Sequence, residues 1–359
     1  MSGITEHVLA LAALPAERIT PAARRMGALS LGDWITVALA GADQPLGGII
    51  RDYVLDEGGR PVATLVGGDK APPRAAALAN GTISHALDYD DTHFGHVGHL
   101  SVGIYPAALA VGEATGASAA AVRDAFVLGA EAAIRIGTTL GRAHYDRGFH
   151  QTATAGAFGA AVAAGRLYGL DERQMRNALG LCSTRASGLK VQFGTMGKPL
   201  NAGIAAANGV EAAGLAARGF TSADDGLAGP QGFLATHSDA PEAGDWDGPP
   251  PFLFEANTYK LHACCHGLHA MIEALAALRR QDERLAETAT AVEVRTHPRL
   301  LNVCDIKAPR TGLEVKFSYA WLAAMTLSGV DTAAERTYTD ALARDEELTA
   351  IAGRVRVEG

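Results

Sequence analysis

The chain has 359 residues, 48% hydrophobic and 19% charged, with a net charge of −8 at pH 7. That length allows two domains and a large core, and the acidic balance excludes the basic face that general nucleic-acid binding needs. Gly, Arg or Asp interrupts every apolar run before the roughly 18 residues of a membrane span, so no transmembrane helix is expected.

The N-terminal apolar run has Glu6 where a signal peptide would carry a basic residue. Cys182, Cys264, Cys265 and Cys304 form no CxxC pattern and no disulfide-like spacing. Reduced thiols in a cytoplasmic protein are the expectation.

The first helix is predicted over about residues 4–14. Thr20 is an N-cap with Pro21 at the first position of a second helix, whose apolar stripe is Met26, Leu29, Leu31, Trp34, Ile35 and Leu39 and whose stop is Gly41. Residues 47–70 read as irregular structure with short strands in IIRDYVLD and VATLV. Pro72 and Pro73 open a helix through AAALANGTISHALDYDD, and helices follow over 105–115 and 118–137, the latter capped by Ser118. Residues 152–168 form a helix of small residues. Each interior Gly costs about 1 kcal/mol against Ala, so several of them predict very close packing by another helix or a second subunit. Asp171 caps the next helix, and 202–219 is another, ending at Gly219.

Residues 236–251 are rich in Pro, Gly and acid and read as a linker. Beyond them, HGLHAMIEALAALRRQ is an amphipathic helix, TATAVEVRTHP a strand, 315–328 a helix and GRVRVEG a final strand. The chain is thus mainly helical over its first two thirds and mixed α and β over its last. A strand needs a partner and nothing follows the last one, so the chain is expected to stop inside a domain.

The densest chemistry lies in NGTISHALDYDDTHFGHVGHLSV, residues 80–102, with Asp88, Asp90, Asp91, His85, His93, His96 and His99. Gly95 and Gly98 turn this segment from helix to loop. Converging carboxylates and imidazoles suit proton transfer. A metal site is the alternative, but histidines at i, i+3 and i+6 with glycines between match no named metal motif. His150 stands just before an apolar helix and, taken alone, reads as a capping or core residue. In QFGTMGKPLNAG, Gln192 and Pro199 break the phosphate-loop pattern. Lys198 at a helix entry suits a substrate carboxylate as well as it suits a surface position. Cys264 and Cys265 read as packing, with His266 or Lys260 near a site, and Tyr319 in KFSYAW is either a proton donor or a core residue. No GxSxG, GxGxxG or Cys-nucleophile signature supports serine hydrolysis, hydride transfer or thiol catalysis.

Four ordered segments, NGTISHALDYDDTH with GHLSVGIYPAALAVGE, GFHQTATAGAFGAAVAAGRLYGL, GTMGKPLNAGIAAANGVEAAGLAARGF and TGLEVKFSYAW, together resemble the MmgE/PrpD family, over residues 5 to 357. That family includes 2-methylcitrate dehydratase, cis-aconitate decarboxylase and iminodisuccinate epimerase. The resemblance implies a large all-helical domain, taken as residues 1–245, and a smaller α+β lid domain, taken as 246–359 and incomplete relative to the family. It implies an active site in the cleft between them, a homodimer, and no metal or other cofactor. Its catalytic or substrate-contacting positions fall on Asp88, Thr92, His99, His150, Lys198 and Tyr319. Two positions depart from the family pattern: Leu100 stands where many members have Pro, and Asn201 where they have His.

The chemistry implied is a lyase, hydro-lyase or carboxy-lyase, acting on a small di- or tricarboxylic acid. An isomerase or epimerase of a similar acid, and a catalytically silent carboxylate binder, are the competing expectations. In this scheme Lys198 and His150 hold carboxylates, with Thr92 assisting. His99 is the general acid or base with Asp88 orienting it or sharing its proton, and Tyr319 closes the site and donates a proton.

Overall fold

The structure is a computed structural model and describes residues 3–241, 246 and 252–359. The chain divides into two units, Met1–Ala86 with Asp90–Tyr259, and Leu87–Tyr89 with Lys260–Gly359. Most of the expected linker, 242–245 and 247–251, and with it the 245/246 boundary, lies outside the described residues.

The larger unit begins with α1 (Ile4–Ala12). Thr20 accepts from Ala23 N at 3.0 Å through its Oγ1 and starts α2 (Pro21–Ala42), Pro21 supplying the preset φ of a first helical residue. This helix runs one residue past Gly41 before it ends. The next segment, expected as a strand, is α3 (Pro45–Asp56). Leu46, Ile50 and Val54 recur every fourth residue, with Leu46 and Val54 buried and Ile49 and Tyr53 exposed. That period, with Pro45 at the first position, outweighs the β-propensity of paired isoleucines. A small antiparallel hairpin follows, β1 (Ala63–Thr64) and β2 (Lys70–Ala71).

The rest of the unit is helical: α4 (Pro73–Ser84), α5 (Ser101–Thr115), α6 (Ala119–Arg147), α7 (Gln151–Tyr168), α8 (Glu172–Ser183), α9 (Gly197–Ala216) and the short α10 (Phe233–His237). Ser118 caps α6, which is broken at Gly141 (φ 67°, ψ −171°). Asp171 caps α8 through a reciprocal pair with Gln174. Helix α7 packs on α5, α6, α8 and α9 and is buried from Gln151 to Gly165. A Cβ on Gly129 of α6 would lie 2.5 Å from Gly159 O of α7, and a Cβ on Gly159 would lie 2.6 Å from Gly129 O. The close packing expected of α7 is therefore made by a neighbouring helix of the same unit.

In the smaller unit, α11 (His269–Gln281) and α12 (Leu285–Thr288) precede β3 (Val292–Arg295). Then come α13 (Pro298–Cys304), α14 (Gly312–Val315), α15 (Tyr319–Leu327), α16 (Glu346–Ala352) and β4 (Val355–Glu358). Strand β4 pairs in parallel with β3, Val292 opposite Val355 and Arg295 opposite Glu358. The final strand thus has its partner upstream, across the kind of long crossover that parallel pairing requires, and the expectation of an unpaired strand is corrected. The helix expected over 315–328 is two helices. Ser318 leaves the helical path to bridge Asp305 and then caps α15, its Oγ accepting from Trp321 N at 3.4 Å. Leu268, Ile272, Leu322 and Met325 lie in the core of this unit.

Segment 87–89 is held in the smaller unit by two buried ammonium groups. Lys316 Nζ donates to Leu87 O at 3.0 Å. Lys260 Nζ donates to Asp88 O and lies 3.3 Å from Asp88 Oδ1. No helix among the described residues is long and apolar enough to cross a membrane.

Candidate active site

Helix α4 ends at Ser84, and the loop that follows carries the carboxylates and histidines singled out in the sequence. The structure sorts them into two groups. His93 Nε2 donates to Leu253 O at 2.9 Å, while its Nδ1 accepts from His96 N at 3.1 Å. His96 is fully buried, and burial pushes it down to about 3. Asp91 Oδ1 accepts from Ser101 N at 3.0 Å, and its Oδ2 accepts from Asn257 Nδ2 at 2.7 Å, so it anchors the start of α5. These three build the loop.

The second group is His85, Asp90 and His99. Asp90 is fully buried and bridges the two imidazoles, with His85 Nδ1 at 2.9 Å from Oδ1 and His99 Nδ1 at 2.7 Å from Oδ2. His99 Nδ1 also lies 2.8 Å from Asp91 O, and its backbone N donates to Thr152 Oγ1 at 3.0 Å. A carboxylate and a carbonyl only accept, so both rings carry their proton on Nδ1. Burial is the largest influence on His85, pushing it down to about 4 against the opposing pull of Asp90. Burial alone would raise Asp90, but the two imidazoles and their hydrogen bonds outweigh it and hold the carboxyl well below the usual range. Near neutral pH the group is thus an ionised carboxylate receiving a neutral His85 N–H.

The scheme drawn from the sequence gave Asp88 the task of orienting His99. Asp90, which that scheme did not select, places its Oδ2 2.7 Å from His99 Nδ1. Asp88 has φ 53° and lies in the smaller unit beside Lys260.

His150 is the N-cap residue of α7 and is buried. Its ring lies 6.0 Å from that of His85 and 6.5 Å from that of His99, while His85 and His99 are 4.6 Å apart. Backbone pairing fixes its position: His150 N donates to Gly188 O at 3.0 Å and Lys190 N to Gly148 O at 2.8 Å. Phe193 meets the imidazole edge-on at 5.0 Å, and Lys198 Nζ stands 5.1 Å from the centroid of that same phenyl ring. Lys198 is buried in the first turn of α9, and its charge is one of the smaller forces lowering His85. His85, His99, His150 and Lys198 thus share one neighbourhood, with the positive ends of α7 and α9 contributing to it.

Thr92 pairs with Thr258 through two backbone bonds, 2.8 and 3.0 Å, and its buried Oγ1 has no hydrogen-bond partner among the described residues. Tyr319 sits at the start of α15 in the smaller unit. Its hydroxyl donates to Gly267 O at 3.0 Å and pairs with Thr296 Oγ1 at 2.9 Å, and burial raises it above the usual phenol range. Its proton is committed to that carbonyl in this structure.

His85, Asp90 and His99 also form a donor set of the kind a divalent cation takes, their ligand atoms lying within 4.8 Å of one another. Both Nδ1 atoms facing the carboxylate already serve as N–H donors, so binding an ion through them would replace those bonds.

Two family descriptions match the chain, the MmgE/PrpD N-terminal domain over residues 9–244 and the MmgE/PrpD C-terminal domain over residues 262–359. A cis-aconitate decarboxylase of Aspergillus terreus (strain NIH 2624 / FGSC A1156) is 31% identical over 252 residues, 64% of this chain and 50% of its own. The Homo sapiens cis-aconitate decarboxylase is 33% identical and that of Mus musculus 32% identical, each over 156 residues, 42% of this chain and 32% of theirs. The chain spans about half the length, or less, of the curated relatives it matches.

Proposed function

The chain belongs to the MmgE/PrpD family, and on that premise we propose that it is a lyase acting on a small di- or tricarboxylic acid by metal-free acid–base chemistry. The observation that carries this reading is the Asp90-bridged imidazole pair beside His150 and Lys198. Dehydration and decarboxylation both build negative charge next to a carboxylate, and both need fixed donors there and one tunable proton carrier.

Lys198 and His150, at the ends of two helices, hold substrate carboxylates. Thr92 Oγ1 supplies a further donor. His99 moves the proton, its Nδ1–H donated to Asp91 O beside the Asp90 carboxylate, so that Nε2 is the working nitrogen. In decarboxylation the carbon–carbon electron pair stays on the substrate as an enediolate-like anion beside the bound carboxylate, carbon dioxide leaves, and the carbanion takes a proton. In dehydration a proton leaves the carbon next to the carboxylate and hydroxide departs with a proton from the enzyme. The roles expected of Asp88 and Tyr319 are tested by Asp88→Asn and Tyr319→Phe. Homodimer formation belongs to the same proposal, and light scattering reads it. Leu29, Leu39, Ile49 and Tyr53 of α2 and α3 are large apolar side chains exposed to solvent.

The test is incubation with a panel of citrate-like acids, cis-aconitate among them, followed by NMR in deuterated water. A lyase yields product with loss of water or carbon dioxide. Solvent deuterium in recovered substrate without such loss indicates an isomerase or epimerase. Acids that bind but return unaltered indicate a silent family member.

A further inference from the structure

Asn201 occupies the fourth position of the run Lys198-Pro199-Leu200-Asn201, on the first turns of α9, and is buried. Its Nδ2 lies 3.2 Å from His150 Nδ1 and 3.4 Å from Leu189 O. An amide can be turned end for end, and the choice normally rests on its partners. Here one partner settles it. Leu189 O cannot donate, so the end of the side chain facing it must be the amino group. The position of that carbonyl is itself fixed. Segment 188–190 pairs with 148–150, through His150 N to Gly188 O, Lys190 N to Gly148 O and the bridge of Phe149 with Leu189. Gly188 (φ 149°) permits the approach, since a Cβ there would lie 2.3 Å from Ala153 Cβ.

With the amino group facing it, His150 Nδ1 has to accept. We infer that Asn201 is a positioning residue that locks His150 as the Nε2–H tautomer, opposite to His85 and His99, whose protons sit on Nδ1 facing Asp90. The edge-on contact with Phe193 holds the ring plane while Asn201 sets which nitrogen carries hydrogen. His150 therefore meets substrate as a neutral N–H donor, and the positive charge for a carboxylate comes from Lys198. The role at substrate rests on the proposed function above; the tautomer does not.

The experiment is two-bond ¹H–¹⁵N correlation NMR on the full chain labelled with ¹⁵N-histidine, at neutral pH and without substrate. The His150 signals are identified by their loss in His150→Gln. The expected result in the unsubstituted protein is a protonated Nε2 and an unprotonated Nδ1. In Asn201→Asp the new carboxylate accepts instead of donating, and Nδ1 becomes protonated. A protonated Nδ1 in the unsubstituted protein overturns the inference, and that reading needs no variant to fold. An unchanged His150 pattern in folded Asn201→Asp overturns it as well. An Nε2–H tautomer in a protein that leaves the whole acid panel unaltered upholds this inference while removing the proposed function. An Nδ1–H tautomer in an active enzyme does the reverse.

Discussion

Asp90 Oδ2 stands 2.7 Å from His99 Nδ1 while Asp90 Oδ1 stands 2.9 Å from His85 Nδ1. That carboxylate sets the tautomer of His85 by its hydrogen bond and that of His99 with Asp91 O, which accepts the His99 Nδ1–H; the two rings are 4.6 Å apart. Asn201 imposes the opposite tautomer on the third ring, so the cluster can present acceptors and a donor at once.

Asp90→Asn removes that control without changing volume. An amide accepts at one oxygen only and turns an amino group toward the other ring, which then has to carry its proton on Nε2. Turnover is expected to fall by about 10²–10⁴-fold, as when an orienting carboxylate is neutralised beside a general base, with the circular dichroism spectrum unchanged. Undiminished turnover would mean that His99 is oriented by another group.

Stability is expected to fall on mild acidification. Burial lowers His85 to about 4 and His96 to about 3, from an ordinary value of 6.5. Between those values the unfolded chain binds more protons than the fold, so stability rises with pH. The contribution is fully present above about pH 6.5 and is lost as pH falls toward about 4 and 3. Urea midpoints measured between about pH 7 and pH 5 should decline. A flat profile would show that these rings are not held neutral by burial.

The fold was largely legible where local signals act alone. Thr20–Pro21, Ser118 and Asp171 start helices because a side-chain oxygen next to free N–H groups works regardless of tertiary context. The glycines of α7 foretold close packing, and α6 supplies it. Illegible parts depended on distant partners. Strand β4 looked unpaired because β3 lies far upstream. Residues 49–56 looked extended because Ile and Val favour strands when the four-residue recurrence of Leu46, Ile50 and Val54 is overlooked. In the candidate site, His99, His150 and Lys198 were legible through a family resemblance. Asp90 was not, and Asn201 showed only as a departure from the family pattern, because what distinguishes them is which hydrogen bonds they make.

Gly159→Ala tests the packing of α6 on α7. Its Cβ would meet Gly129 O at 2.6 Å and Ala133 Cβ at 2.9 Å. Overpacking of this kind costs about 1–3 kcal/mol, against a small gain in helix propensity. Chemical denaturation should show a clear net loss; unchanged stability would mean that the helices separate freely there.

Lys260→Met leaves Asp88 buried without the ammonium group at 3.3 Å. Removing one partner of a buried ion pair costs about 3–5 kcal/mol. The double variant Lys260→Met with Asp88→Asn should lose less, because the buried negative charge that faced the ammonium group is removed with it. Equal losses in the two variants, read by urea denaturation, would show that the pair is not energetically coupled.

Exhaustive dialysis against EDTA should leave turnover intact, since the Nδ1 atoms of His85 and His99 act as N–H donors, to Asp90 and to Asp91 O. Loss of activity restored by added zinc would show that this donor set holds a metal.

The central claim is that the imidazole and ammonium groups gathered around Asp90 do the chemistry. Its most direct measurement is the turnover of His99→Ala and Lys198→Ala on the acid that the unsubstituted protein converts, with folding checked by circular dichroism. The account predicts that both folded variants lose activity by at least about 10²-fold. Near-normal turnover in both would contradict it.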